Sequence, residues 1–191
     1  MDTALFHLIN NGMANPLFDV LMPALTHQGY LLGIPLALYT LYAGSRARTP
    51  EGRSFLLTAL AAVLIALLAV PLADALVNQL KVLNARPRPC QALEGVRLLV
   101  TCPSSFSMPS SHAATSFAFA TPLFALTRPF LPLGWRVTPI LIAAMVAYTR
   151  PYLGVHYPSD IVVGALLGSS VASLPCLLLR RARSPFGPLP E

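Results

Sequence analysis

Apolar residues run along this chain in long blocks parted by short polar stretches. The longest block, residues 54 to 80, reads SFLLTALAAVLIALLAVPLADALVNQL; Pro71 is expected to bend it, and Asp74 and Asn78 lie near its far end. Further blocks cover 29 to 44, 110 to 127, 137 to 149 and 159 to 179. A helix rises 1.5 Å per residue, so crossing a ~30 Å hydrocarbon layer takes roughly 20 apolar residues. The predicted fold class is therefore all-α, a polytopic transmembrane helix bundle of five spans. Residues 3 to 27 are broken by Asn10, Asn11, Gly12, Asn15, Pro16 and Pro23 and predict short helices at the membrane interface or tucked into the bundle, with room for a sixth span. The expected organisation is 1–28 as these helices, 29–183 as the bundle and 184–191 as a flexible Pro-rich tail.

Composition strengthens the membrane reading: 55% of the 191 residues are hydrophobic and only 10% charged. No separate soluble domain fits in this length. The net charge of +6 would admit nucleic acid as a partner, but no basic patch interleaved with aromatics and no nucleic-acid motif accompanies it. Topology explains the charge better. Arg46, Arg48, Arg53, Arg128, Arg136, Arg180, Arg181 and Arg183 lie in segments that five spans place on one side, expected to be cytoplasmic. No Lys or Arg precedes Arg46, so the positive start of a cleaved signal is missing and insertion is expected to use internal spans.

The remaining five cations, Lys81, Arg86, Arg88, Arg97 and Arg150, fall on the other side, against the charge rule. Three segments meet there: KVLNARPRP after the long span, MPSSHAATS before the next, and YTRPYLGVHYPSD. Together they bring Lys81, Arg88, Arg150, Ser110, Ser111, His112, His156 and Asp160. Guanidinium forks, hydroxyls and a helix N-terminus can surround a phosphate; Ser110 or Ser111 can cap that helix. Histidines supply a nucleophile and an acid for phosphoryl transfer. Asp160, four residues after His156, is placed to accept its ring N–H and fix the tautomer.

These residues resemble the type 2 phosphatidic acid phosphatase superfamily, which includes vanadium haloperoxidases. Its K-x6-R-P motif is matched by Lys81, Arg88 and Pro89. P-S-G-H is matched by Pro109, Ser110, Ser111 and His112, with serine for glycine. S-R-x5-H-x3-D is matched by Thr149, Arg150, His156 and Asp160, with threonine for serine. The resemblance implies that His156 attacks phosphorus to form a phosphohistidine, Asp160 orients it and His112 protonates the leaving oxygen. Lys81, Arg88, Ser110, Ser111 and Arg150 would hold the phosphoryl oxygens, with no metal and no cofactor. It further implies a lipid phosphate substrate at the outer face of the cytoplasmic membrane, while the distribution of basic residues predicts a C-terminus inside. By frequency in the family, that substrate is undecaprenyl diphosphate. Phosphatidylglycerol phosphate, phosphatidic acid and lipid A 1-phosphate are the alternatives.

Other functions compete with hydrolysis. A lipid phosphotransferase would use the same residues, and an anion- or lipid-binding transporter would use the cations but give His156, Asp160 and His112 no task. Haloperoxidase relatives are soluble, unlike a chain with five apolar blocks. Arg86 and Arg97 read as arginines snorkelling to headgroups, and His7 and His27 as structural. Asp74 either pairs with Lys81 or another cation or serves structure alone. Gly164 and Gly168 allow close helix packing within the bundle, and Cys176 reads as core. Cys90 and Cys102 share the outer loop and can form a disulfide if the compartment is oxidising. Oligomeric state is not legible.

Overall fold

The computed structural model describes residues 1–27, 38, 42, 45 and 48–183. The expected span at 29 to 44, apart from two isolated positions, and the tail from 184 lie outside the described residues. The described elements are α1 (Asp2–His7), a π-helical turn (Leu8–Gly12), α2 (Pro16–His27), α3 (Pro50–Asn84), α4 (Pro89–Ala92), α5 (Ser111–Leu126), α6 (Leu133–Tyr152) and α7 (Pro158–Arg183). All are helical, and no strand occurs among the described residues.

Helix α3 begins at Thr49, whose side chain accepts from the Gly52 amide, with Pro50 in the first turn where its missing N–H costs nothing. It ends at Ala85, whose φ of 46° turns the chain out of the helix while its N–H still bonds the Lys81 carbonyl. Most of its buried positions, among them Phe55, Ala59, Ala62, Ala66, Ala69, Ala73, Val77 and Lys81, recur every three or four residues. Leu57, Leu60, Leu64, Leu67, Leu68 and Leu72 point outward and are exposed. Alanines inside and leucines outside invert the order of a water-soluble helix and suit a lipid surround, where small residues let helices approach. Helix α7 repeats the pattern, burying Ala172 and Cys176 and exposing Leu166, Leu174, Leu177 and Leu178. These two helices are long and apolar enough to cross a membrane.

The bundle is organised around α5, which packs against α7, α3 and α6. Gly164 and Gly168 face it directly. A Cβ at Gly164 would lie 2.5 Å from the Ser110 carbonyl oxygen, and one at Gly168 only 2.0 Å from that of Ala114. Helix α6 outruns its apolar block at both ends, because backbone hydrogen bonding continues past Arg136 and Arg150 regardless of hydropathy.

The N-terminal helices are docked against the bundle. Asn10, which reads as a helix breaker, is fully buried: its amide donates to the Arg97 and Tyr152 carbonyls at 2.8 Å, and its oxygen accepts from the Arg97 amide at 2.8 Å. At 12 residues, α2 is too short to span.

Candidate active site

The site forms where the ends of α3 and α6 meet the starts of α5 and α7. Each element delivers its group through a local rule. The left-handed turn at Ala85 lets Lys81, in the last turn of α3, and Arg88, just beyond it, face the same space. Ser110 caps α5, accepting from Ala113, and its own amide bonds the Asp160 carbonyl at 3.0 Å, tying the starts of α5 and α7 together. A disulfide between Cys90 and Cys102 closes the loop that follows Arg88.

Three cations converge there while buried. Lys81, Arg88 and Arg150 are 7%, 2% and 6% exposed and lie close enough to feel one another's charge. Lys81 Nζ donates to Ser111 Oγ at 3.2 Å, so the serine that replaces glycine in the motif has a bonded task. Arg150 donates to Thr26 Oγ1 at 2.6 Å, but its Nε is buried with no partner among the described residues. Like charges held together around an orphaned donor are an arrangement that an anion completes.

His156 is 2% exposed in the turn before α7. Arg88 Nη1 lies 2.9 Å from its Nε2. A guanidinium can only donate, so Nε2 must be the acceptor and the ring proton sits on Nδ1, 3.3 Å from Asp160 Oδ2. The ring is thus the tautomer whose Nε2 lone pair points at Arg88. Burial pushes the imidazole down to about 4, with the nearby Arg88 charge acting in the same direction and the Asp160 hydrogen bond opposing both. The ring is neutral at pH 7. His112 lies in the first turn of α5, partly exposed, at the same end of the bundle.

Several readings of the sequence change. Arg86 does not snorkel: it donates to Asp160 Oδ1 at 2.8 Å and Asp2 Oδ2 at 2.7 Å. Arg97 does not either, since it pairs with Asp19 at 2.8 Å and donates to the Tyr152 hydroxyl. In both cases a carboxylate from the N-terminal helices, distant in sequence, outcompetes solvent. Asp74 accepts from Asn78 one turn on rather than from Lys81. His7 pairs with Asn11, and the side chain of His27 lies outside the described residues.

Ser105, Ser107 and Thr26 were missed. Ser105 accepts from Arg88 through both its carbonyl and its hydroxyl, and Ser107 donates to Asp160 Oδ2 at 2.5 Å. The serine-rich run before Pro109 was their only sequence signal. Thr26 had none.

The profile of the PAP2 superfamily matches residues 55–183, a stretch that contains all of the motif residues. The chain belongs to the PAP2 superfamily. A lipid A 4'-phosphatase of Bacteroides thetaiotaomicron is 33% identical over 178 residues, 88% of this chain and 72% of that protein. An undecaprenyl-diphosphatase of Sulfolobus acidocaldarius is 34% identical over 94 residues, 49% of this chain and 44% of that one. The crystal structure of Aquifex aeolicus LpxE superposes with a TM-score of 0.68 at 30% identity, covering 93% of this chain and 94% of that one. This PAP2 protein is a membrane lipid phosphatase.

Between α5, α6 and α7 the PAP2 bundle also holds a largely apolar cleft of about 590 Å³. Its walls run from Phe117 to Ala125 on α5 and from Ser169 to Arg180 on α7, in the half of the bundle away from the site.

Proposed function

We propose that this PAP2 phosphatase removes phosphate from a membrane lipid through a phosphohistidine on His156. The observation that carries this reading is the His156 tautomer: Nε2 is unprotonated and faces the Arg88 guanidinium, one of three buried cations that would surround a phosphoryl group. Phosphate entering the site draws Arg88 off Nε2 onto a phosphoryl oxygen, exposing the lone pair. Nε2 attacks phosphorus in line, and the N–P bond forms as the bond to the leaving oxygen breaks. His112 gives that oxygen its proton. Water then attacks phosphorus, His112 recovers a proton from it, and inorganic phosphate leaves as the N–P bond breaks. Lys81, Arg88, Arg150 and the amides of Ser111 and His112 at the start of α5 offset the charge on the equatorial oxygens in both steps. Asp160 keeps the Nδ1 proton in place throughout.

For the substrate, similarity along 88% of the chain to a lipid A 4'-phosphatase favours a lipid A-type phosphate. Undecaprenyl diphosphate is the second reading; the relative named for it matches about half of the chain. Both carry phosphate at headgroup depth, and the cleft beside α5 suits a hydrocarbon chain descending from it. On the five-span reading, with the site outside and the C-terminus in the cytoplasm, that depth is the outer leaflet. The test is phosphate release from lipid A, undecaprenyl diphosphate and phosphatidylglycerol phosphate by the purified protein in detergent with EDTA, beside His156→Ala. Release that disappears in the variant, with acid-labile phosphate trapped on the wild-type chain, supports the mechanism. Turnover that survives in His156→Ala overturns it, and the ranking of the lipids decides the substrate.

A further inference from the structure

Arg86 is bonded on all sides yet has no role in the phosphoryl chemistry above. Its Nη1 donates to Ser159 Oγ at 2.7 Å and Asp160 Oδ1 at 2.8 Å, and its Nη2 donates to Asp2 Oδ2 at 2.7 Å. The guanidinium carbon lies 3.9 Å above the centre of the Tyr157 ring, a cation–π contact. Asp2 in turn accepts from the Ser159 amide at 3.0 Å and the Ser159 hydroxyl at 2.5 Å. One planar fork therefore joins a carboxylate from α1 to the buried carboxylate beside His156.

The other oxygen of Asp160 is crowded. Ser107 Oγ at 2.5 Å, the Tyr157 amide at 2.8 Å and His156 Nδ1 at 3.3 Å all address Oδ2. Of the three, the histidine bond is the longest and the first to be lost if the carboxylate turns. Rotation about the last bond of an aspartate is soft and nearly two-fold. Arg86 opposes it by holding Oδ1.

We propose that Arg86, braced by Asp2 and by the Tyr157 ring, is the positioning residue that locks the Asp160 carboxylate so that Oδ2 keeps the His156 ring aimed. In this arrangement α1 is part of the catalytic apparatus: Asp2 reaches the nucleophile through Arg86 and Asp160. The proposal rests on His156 as nucleophile. A lysine cannot copy the clamp, because one ammonium replaces two donors set in a fixed plane.

The test is steady-state kinetics on whichever lipid phosphate the wild type hydrolyses, using full-length protein in detergent. Arg86→Ala, Arg86→Lys, Asp2→Asn, the Asp2→Asn/Arg86→Ala double variant and His156→Ala are compared after checking that each is monodisperse. Misaiming a reacting group by about 1 Å costs on the order of 100-fold. Arg86→Ala is expected to lose about that much kcat with KM little changed, and Arg86→Lys to recover only part. Asp2→Asn should lose less, and the double variant should be no worse than Arg86→Ala alone, since Asp2 acts through Arg86. If Arg86→Ala fails to fold, the Lys and Asn variants carry the same test. Wild-type kcat in the Arg86 variants, a loss confined to KM, or multiplicative losses in the double variant overturn the clamp while inactive His156→Ala leaves the nucleophile standing. Turnover in His156→Ala removes the nucleophile and the clamp together.

Discussion

Gly168→Ala tests the packing on which the site depends. The new Cβ would sit 2.0 Å from the Ala114 carbonyl oxygen, 2.8 Å from its carbonyl carbon and 3.0 Å from its Cα. All three are backbone atoms of α5, so no side chain can swing away. Helix α7 would have to retreat by at least about 1 Å to reach the closest approach that real Cβ atoms make. Overpacking of this kind costs about 1–3 kcal/mol. The retreat also stretches the 3.0 Å bond from the Ser110 amide to the Asp160 carbonyl, worth about 1 kcal/mol. A loss of about 2–4 kcal/mol and a marked fall in turnover are expected together. Gly134→Ala is the control, because a Cβ there meets nothing within 4 Å among the described residues and alanine favours the helix. The assay is thermal unfolding in detergent with phosphate release measured on the same samples. Equal melting temperatures for the two variants would refute the close-packing argument.

The acid limb of kcat/KM should fall near pH 4 rather than near 6.5, because the neutral imidazole of His156 is the attacking form and burial holds it down to about 4. The same depression gives stability that is fully present above about pH 6.5 and drains away as pH falls toward 4, where only the unfolded ring takes a proton; acid melting curves with and without His156→Ala check it. Reducing the Cys90–Cys102 bond, or replacing both with serine, should cost roughly 3 kcal/mol by the loop-closure estimate. The damage should appear in KM, since the bond anchors the chain three residues before Ser105, which accepts from Arg88. Asn10→Ala should cost about 2–3 kcal/mol by leaving the Arg97 and Tyr152 backbone groups without their partner; denaturant titration measures it, and an unchanged midpoint would show that α1 and α2 are not docked this way.

Much of the helical framework was legible because its signals are local. Apolar blocks located α3, α5, α6 and α7, since a lipid-facing helix must be apolar along most of its length whatever it packs against. The spacing of Gly164 and Gly168 announced a close helix contact, because only absent side chains let backbones meet. The eight candidate site residues could be named because fixed spacing within each of three segments is preserved in a linear string.

Other features depended on residues far apart in the chain meeting in space. Arg86 and Arg97 looked like headgroup anchors until Asp2 and Asp19 arrived from the N-terminal helices. Asn10 looked like a breaker because its partners, Arg97 and Tyr152, are 87 and 142 residues away. Ser107, Ser105 and Thr26 entered the site through side-chain contacts that no motif spacing records.

By itself the sequence determined an all-helical membrane chain and the chemical kinds gathered for phosphate, because hydropathy and residue type belong to each position alone. The tertiary structure decided which donor reaches which acceptor: the proton on His156 Nδ1, the two carboxylates shared by Arg86 and the orphaned Nε of Arg150. Those are properties of distance and direction, and a difference of 1 Å separates a bonded group from an idle one.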